Sequence, residues 1–575
     1  MSIPKGLIIY QAPRHQNNFP TDVKYGYYSD KMHPYISPGK SNHCKNFGRK
    51  YQQKLIQKAN LIFVGKGQRD LETLSVFSRF CGIKKCSLFV YDKSPKKDLV
   101  VRVFQRLSKV LKRLKCVEFK QCDTRDQQNS KTFKPLILLA GLESFTLPWF
   151  IYSQDPKNLE PLMQILKLAS KRRSWPKFKS LNLGPLYPQG LTLDRENCPP
   201  SLESLKNLLE FTKGLGSCGN LQKYLNIQLA LPYISSELGD NQSVATLDEI
   251  FRQMFCSLAS IQIAEFTYCS KILETLQHSI NLKIVTFEIT EEVKEKVNLS
   301  VLNRIPSFQE LNIRVRNNKG IDLLSYTDIL TQVKIMSNLT AFSFDITGKQ
   351  RPIEEFNLNL AGAISSLINL KSLKLNFGRY SKEGGDDKDF EALRSVWFQD
   401  VFKAIGERTK LKTLKLTLTH FQFENPKRLF AVFCESLKKL EQLSDLSLDF
   451  NDRKRTIEER EIVEFCQCLR NLKQLQEICF SIVCSKFQLE ALSEFFSCFA
   501  SHFPLLSTLN LSLEGVKVSS QAYQSLEKIV QKHGCLNAMN IVLIGQLEDG
   551  LDLRLLKNKM LKRFPGNTCF VPRYG

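Results

Sequence analysis

Residues Leu443–Phe450 read LSDLSLDF, and Leu411–Leu418 before them read LKTLKLTL. The same phrase, apolar-x-x-apolar-x-apolar-x-apolar, returns as LKSLKLNF at Leu370, LQEICFSI at Leu475, LSTLNLSL at Leu506 and LNAMNIVL at Leu536. Upstream it reads LTAFSFDI at Leu339, FQELNIRV at Phe308, LKIVTFEI at Leu282 and IQIAEFTY at Ile261. A recurrence of about 30 residues marks a repeat architecture.

Each phrase ends in period-two alternation, the pattern of a strand with one buried face. Each is preceded by apolar residues at helical spacing. Before Leu443 stand Leu429, Phe430, Phe433, Cys434, Leu437 and Leu440; before Leu475 stand Ile462, Phe465, Cys466 and Leu469; before Leu506 stand Leu492, Phe495, Phe496 and Phe499. These i, i+3, i+4, i+7 spacings bury one stripe of a helix. A unit of one strand and one helix, about 30 residues long, cannot bury its own core, and stacking such units solves the problem. Cys434, Cys466 and Cys498 recur once per repeat, at matching places on three successive helices. Small apolar thiols at a close helix contact account for them without chemistry.

The phrase resembles the leucine-rich repeat, and its length with helical outer segments is similar to the ribonuclease-inhibitor-like subclass. The family usually places Asn or Cys soon after the third leucine; here Phe377, Leu418, Phe450, Ile482 and Leu513 continue the strand instead. The LxxLxLxL style also looks like the lineage-expanded leucine-rich repeats of ciliated protists. The resemblance implies an α/β solenoid, a horseshoe with parallel strands on its concave face and helices outside.

The resemblance covers residues 261–545. Toward the N-terminus it fades, through FKSLNLGP at Phe178, LESFTLPW at Leu142 and LKCVEFKQ at Leu114, with weaker strands expected at Leu225–Leu229 and Leu88–Val90. Residues 56–260 are therefore expected to be degenerate, basic repeats with longer loops. Residues 1–55 are rich in Tyr, Pro, Asn and Lys without a sustained period, and are expected to form an extended basic arm. Residues 546–575 are expected to cap the solenoid.

Charge divides the chain unevenly. The 575 residues hold 82 Lys+Arg and 57 Asp+Glu, a net charge of +25. Residues 1–200 alone carry a net +22, which leaves +3 for the rest. A basic third joined to a nearly neutral scaffold predicts attraction to an acidic surface. At 42% hydrophobic and 24% charged residues, the composition excludes collagen-like, wholly disordered and membrane-embedded classes. No run of 18 apolar residues is present, so no transmembrane helix is expected. The start MSIPKGLIIYQAPRHQ has an apolar patch too short for a secretory signal. It lacks acids before Asp22, which leaves a mitochondrial transit peptide open.

The 17 cysteines include no CxxC pair, and the seven histidines fall in no zinc spacing. Free thiols in a reducing intracellular compartment, cytoplasm or cilium ahead of mitochondrion, are the expectation. GKGQRD at Gly65 lacks a Walker spacing, and GLGSCG at Gly214 is not a nucleophile elbow. NDRKRTIEER at Asn451 alternates charges and reads as a solvated loop. No enzyme activity, cofactor, metal or small-molecule substrate is expected.

Two surfaces remain. On the concave face the residues between the buried ones include Glu288, Arg314, Asp345, Lys374, Lys415 and Asp449, with Thr286, Asn312, Ser343, Asn376, Thr417 and Ser447 beside them. Both signs occur, which suits a polypeptide partner better than a phosphate chain. In VVRVFQRLSKVLKRLK (Val100–Lys115) an apolar stripe is flanked by Arg102, Arg106, Lys109, Lys112 and Arg113, and a second basic cluster holds Lys171, Arg172 and Arg173. These are candidates for contact with an acidic surface, tubulin or RNA. The expected function is a non-catalytic scaffold among the protein subunits of a large assembly, docked through its basic N-terminal third. The protist-like style points to ciliary microtubules, and a ribonucleoprotein subunit is the alternative.

Overall fold

In a computed structural model, the described residues are 7–10, 35–36, 58–64, 85–91, 115–122, 143–147, 179–183, 202–216, 226–231, 241–254, 257–264, 270–289, 298–321, 326–350, 354–378, 395–419, 426–487, 489–532, 535–548, 551, 553–563 and 568–574. Their strands are β1 (Leu7–Tyr10), β2 (Tyr35–Ile36), β3 (Lys58–Val64), β4 (Lys85–Tyr91), β5 (Cys116–Cys122), β6 (Ser144–Leu147), β7 (Ser180–Leu183), β8 (Asn226–Leu231) and β9 (Leu258–Ala264). They continue as β10 (Ile284–Ile289), β11 (Glu310–Ile321), β12 (Ala341–Gln350), β13 (Ser372–Gly378), β14 (Thr413–Thr419), β15 (Asp445–Ile457), β16 (Glu477–Phe487), β17 (Thr508–Val518), β18 (Ala538–Leu547) and β19 (Thr568–Tyr574). The helices that alternate with the later strands are α1 (Leu202–Gly216), α2 (Asn241–Gln253), α3 (Ser270–Leu276), α4 (Thr327–Val333), α5 (Glu354–Ser366), α6 (Ser395–Gly406), α7 (Pro426–Lys438), α8 (Glu459–Arg470), α9 (Leu489–Ser501), α10 (Ser520–Lys532) and α11 (Leu553–Arg563), with a 3₁₀ turn at Leu299–Arg304.

All 19 strands join one open sheet among the described residues. β1 pairs with β2 and β3, and from β3 onward each strand pairs in parallel with its successor. Parallel neighbours need a crossover between them, and the helices supply it in the regular part. This is a repeat solenoid. Within residues 1–55, β1 and β2 belong to the sheet, and within residues 546–575, α11 and β19 add a further helix–strand unit.

The register lines up the apolar positions row by row. Leu373, Leu414, Leu446, Ile478 and Leu509 stand opposite one another, and Leu375, Leu416, Leu448, Phe480 and Leu511 form the next row. All of these are buried, and they meet the helices. Phe480 of β16 stacks on Phe465 of α8 at 5.1 Å and 22° and lies 5.1 Å from Phe495 of α9. Each such ring pair adds about 1 kcal/mol beyond its buried area.

The return from helix to strand repeats one turn. The amide of Leu443 donates to the carbonyl of Leu440, Leu475 to Leu472, Leu370 to Leu367 and Leu506 to Phe503, at 3.0–3.2 Å. These turns then stack. Lys412 and Thr413 both donate to the carbonyl of Lys371, Ser444 and Asp445 to that of Lys412, and Gln476 and Glu477 to that of Ser444. The same double contact appears far upstream, where Glu143 and Ser144 donate to Lys115, and Lys179 and Ser180 to Glu143. The faded N-terminal phrases are thus stacked as the regular ones are.

One sequence expectation is corrected. Asn451–Ile457, expected as a solvated loop, prolongs β15 past a register shift and pairs again at Thr456 with Lys486 and at Ile457 with Phe487. Glu458 then caps α8 in a reciprocal box with Glu461. Backbone pairing and two cap hydrogen bonds stabilise a stretch whose charges alone suggest solvent. The corresponding bend between β17 and β18 depends on Gly545. A Cβ there would run into the carbonyl oxygen of Val516.

Candidate interaction surface

Alternation along each strand sends one set of side chains into the helix-packed core and the other onto the helix-free face. Glu288, Arg314, Asp345, Lys374, Lys415 and Asp449 all belong to the second set. Lys374 is exposed; Glu288, Arg314, Asp345, Lys415 and Asp449 are half-buried.

Neighbouring strands tie much of this face together. Gln262 donates to Glu288 at 3.2 Å, and Asn312 donates to Glu310 at 3.0 Å and to the Thr286 hydroxyl at 3.3 Å. Asn376 donates to Asp345 at 2.9 Å, and Asn540 to Asn510 at 2.6 Å. Glu288 and Asp345 therefore have amide donors from adjacent strands, and such cross-strand bonds hold the side chains in place.

From β13 to β16 the charges are less evenly matched. Lys374 stands directly opposite Lys415, and Asp445 directly opposite Glu477. One ion pair crosses between the two groups, Lys415 to Asp445 at 3.4 Å. Burial pushes the Asp445 carboxyl above its ordinary value; Lys415 pulls it down and Glu477 pushes it up. The Cys479 thiol, exposed on β16, lies on the same face.

Glu310, Asp445 and Glu477 were not among the sequence candidates. They sit inside the L-x-x-L half of the phrase, one step before the clear alternation, where the pattern gives no facing. The second candidate set, Arg102, Arg106, Lys109, Lys112, Arg113, Lys171, Arg172 and Arg173, lies outside the described residues. Beside it, Lys115 is described and pairs with Glu143 at 2.6 Å.

The recurring cysteines are core residues. Cys434, Cys466 and Cys498 are fully buried. A hydrogen bond with the neighbouring Cys468 thiol, together with burial, pushes the Cys434 thiol up, and the Cys498 thiol with burial does the same to Cys466. Among the described residues, no group of three or more His, Cys, Asp or Glu side chains could hold a metal ion, and no helix is long and apolar enough to cross a membrane.

No protein-family model matches the chain, and no curated protein matches it. Among solved structures, it is similar to the yeast Rad7–Elc1 complex at 12% identity and a TM-score of 0.33, covering 94% of this chain and 89% of that one. It is also similar to the leucine-rich repeat domain of APL1B at 10% identity and a TM-score of 0.21, covering 61% and 80%. A thermostable mutant of a Cellvibrio japonicus xylanase follows at 9% identity and 0.17, covering 50% and 85%. All three scores lie below 0.5, so the solenoid assignment rests on the chain's own strand pairing.

Proposed function

We propose that this protein is a non-catalytic scaffold of the leucine-rich-repeat kind, ribonuclease-inhibitor-like in its unit length, which holds polypeptide partners on the helix-free face of its sheet. The observation that carries this reading is the face itself, mostly polar and charged side chains over β9–β18, with single apolar positions such as Ile284 and Val542, and with no helix packed on it among the described residues. A surface of both signs, braced by cross-strand hydrogen bonds, suits a protein partner. The basic N-terminal third supplies the second contact, an acidic surface such as the exterior of a microtubule, and a ciliary assembly is the specific setting. A ribonucleoprotein role is the rival reading, favoured by the net +22 of residues 1–200.

Two exposed thiols provide the test. Cys479 lies on the open face, whereas Cys535 lies in the turn before β18. Maleimide labelling of the native assembly, mapped by peptide mass spectrometry against the purified chain, should show Cys479 shielded. Equal labelling of Cys479 in the assembly and in the free chain would reject this face as the partner site.

A further inference from the structure

The strands β13–β16 carry an arrangement that a purely structural sheet would avoid. Like charges placed directly opposite each other on neighbouring strands are destabilising. Here two such pairs stand side by side: Lys374 opposite Lys415, then Asp445 opposite Glu477. The ion pair between Lys415 and Asp445 relieves only the inner members. Lys374 and Glu477, the outer members, have no hydrogen-bond or ion-pair partner among the described residues. At Asp445 burial and the Glu477 charge push the carboxyl up, while Lys415 and the Lys374 charge pull it down. A short stretch of a well-ordered scaffold that breaks a packing rule on its open face is where a ligand is expected to supply the missing partners.

We infer that this bipolar patch is a binding subsite for an extended polypeptide segment that crosses the strands and carries one acidic and one basic residue four positions apart. The inference rests on the open-face reading above and specifies its ligand. Charge complementarity fixes the chemistry: a carboxylate faces Lys374, and an ammonium or guanidinium faces Glu477. Geometry fixes the spacing. Lys374 and Glu477 are three strands apart and offset by two positions along them, about 16 Å in all at the usual strand spacings. An extended chain covers about 13 Å in four residues, and the long side chains on both partners span the remainder. Residues four apart in an extended chain also project to the same side, so both charges meet the sheet together. Between them the segment passes over Lys415 and then Asp445, and Cys479 lies beside its path, two positions beyond Glu477 on the same strand. The segment can run in either direction, because the spacing and not the order is matched.

The test uses nonapeptides of identical composition, with one Glu and one Lys separated by two, four or six positions in a Ser/Thr/Val background. Each is titrated into the full chain while maleimide modification of Cys479 is followed by peptide mass spectrometry, with Cys535 as the internal control. The four-position peptide should slow modification of Cys479 at least fivefold more than the other two and leave Cys535 unchanged. In a Lys374→Gln, Glu477→Gln variant, which alters only side chains of the open face, that advantage should vanish. Equal protection by all three peptides would overturn the bipolar subsite while leaving the open face as a polypeptide surface. No protection by any of them would overturn the subsite and count against the open-face reading as well.

Discussion

From β10 onward, apolar residues alternate through the first half of each strand, and from α5 to α10 the helices are 12 or 13 residues long. Over residues 1–200 the phrases are fewer and the charge is strongly positive, yet the described backbone does the same thing. The carbonyl of Lys115 accepts from Glu143 and Ser144 just as the carbonyl of Lys412 accepts from Ser444 and Asp445. Comparing the two regions separates what the solenoid requires from what it tolerates. It requires the stacked turn and the buried row that follows, since Leu181 and Leu183 are as inaccessible as Leu446 and Leu448. It tolerates wide variation in the charge of the sequence between these turns.

Substitutions in the two regions can break or sharpen this comparison. The largest effect is expected from Leu446→Asp, which places a charge in the helix-packed row and should cost about 4 kcal/mol or more. Leu181→Asp makes the same change in the first half. In a one-dimensional stack each lesion acts mainly on its own neighbourhood, so hydrogen exchange should show Leu181→Asp exposing β6–β8 while β15–β18 keep their protection. Simultaneous loss of protection throughout the chain would mean the two regions form one inseparable core.

Gly545→Ala comes next. The added methyl group meets the Val516 carbonyl, and a loss of about 3 kcal/mol in chemical denaturation is expected. A loss below about 1 kcal/mol would show that the second strand segment is not held as described. Glu458→Ala removes half of the cap of α8 and should cost about 1 kcal/mol. An unchanged denaturation midpoint would return Asn451–Glu458 to the loop that its charges suggest.

The smallest effect concerns Asp445. Its carboxyl titrates higher in the folded chain than in the unfolded one, so the folded state binds the extra proton and stability falls as pH rises from the ordinary value of 3.8 through the raised one. Asp445→Asn should therefore raise the melting temperature slightly at pH 7, and the difference should disappear below the ordinary carboxylate value. A lower melting temperature at pH 7 would mean that the Lys415 pair outweighs burial and Glu477.

The buried rows and the helices before them were legible because they obey simple periods, two for Leu373-x-Leu375-x-Phe377 and 3.6 for Ile462, Phe465, Cys466 and Leu469. The extension of β15 was not, because Asn451–Ile457 has no apolar alternation and is held by backbone pairing to β16. The candidate surface was half legible. Lys374, Lys415 and Asp449 fall within the alternation and could be assigned a face, whereas Glu310, Asp445 and Glu477 fall in the turn half of the phrase and could not. Aligned phrases already put Asp445 and Glu477 at the same third position, but only the paired strands show that this position lies on the open face. The basic residues from Arg102 to Arg173 stand on charge alone.

The scaffold reading is tested most directly by sedimentation of the native protein from a gentle low-salt lysate, with and without ribonuclease. A heavy peak that survives nuclease, with Cys479 shielded and Cys535 reactive within it, is the expected result. A heavy peak that collapses on nuclease treatment would contradict the protein-scaffold account and establish the ribonucleoprotein reading. Migration as a light species under both conditions would contradict membership of any large assembly.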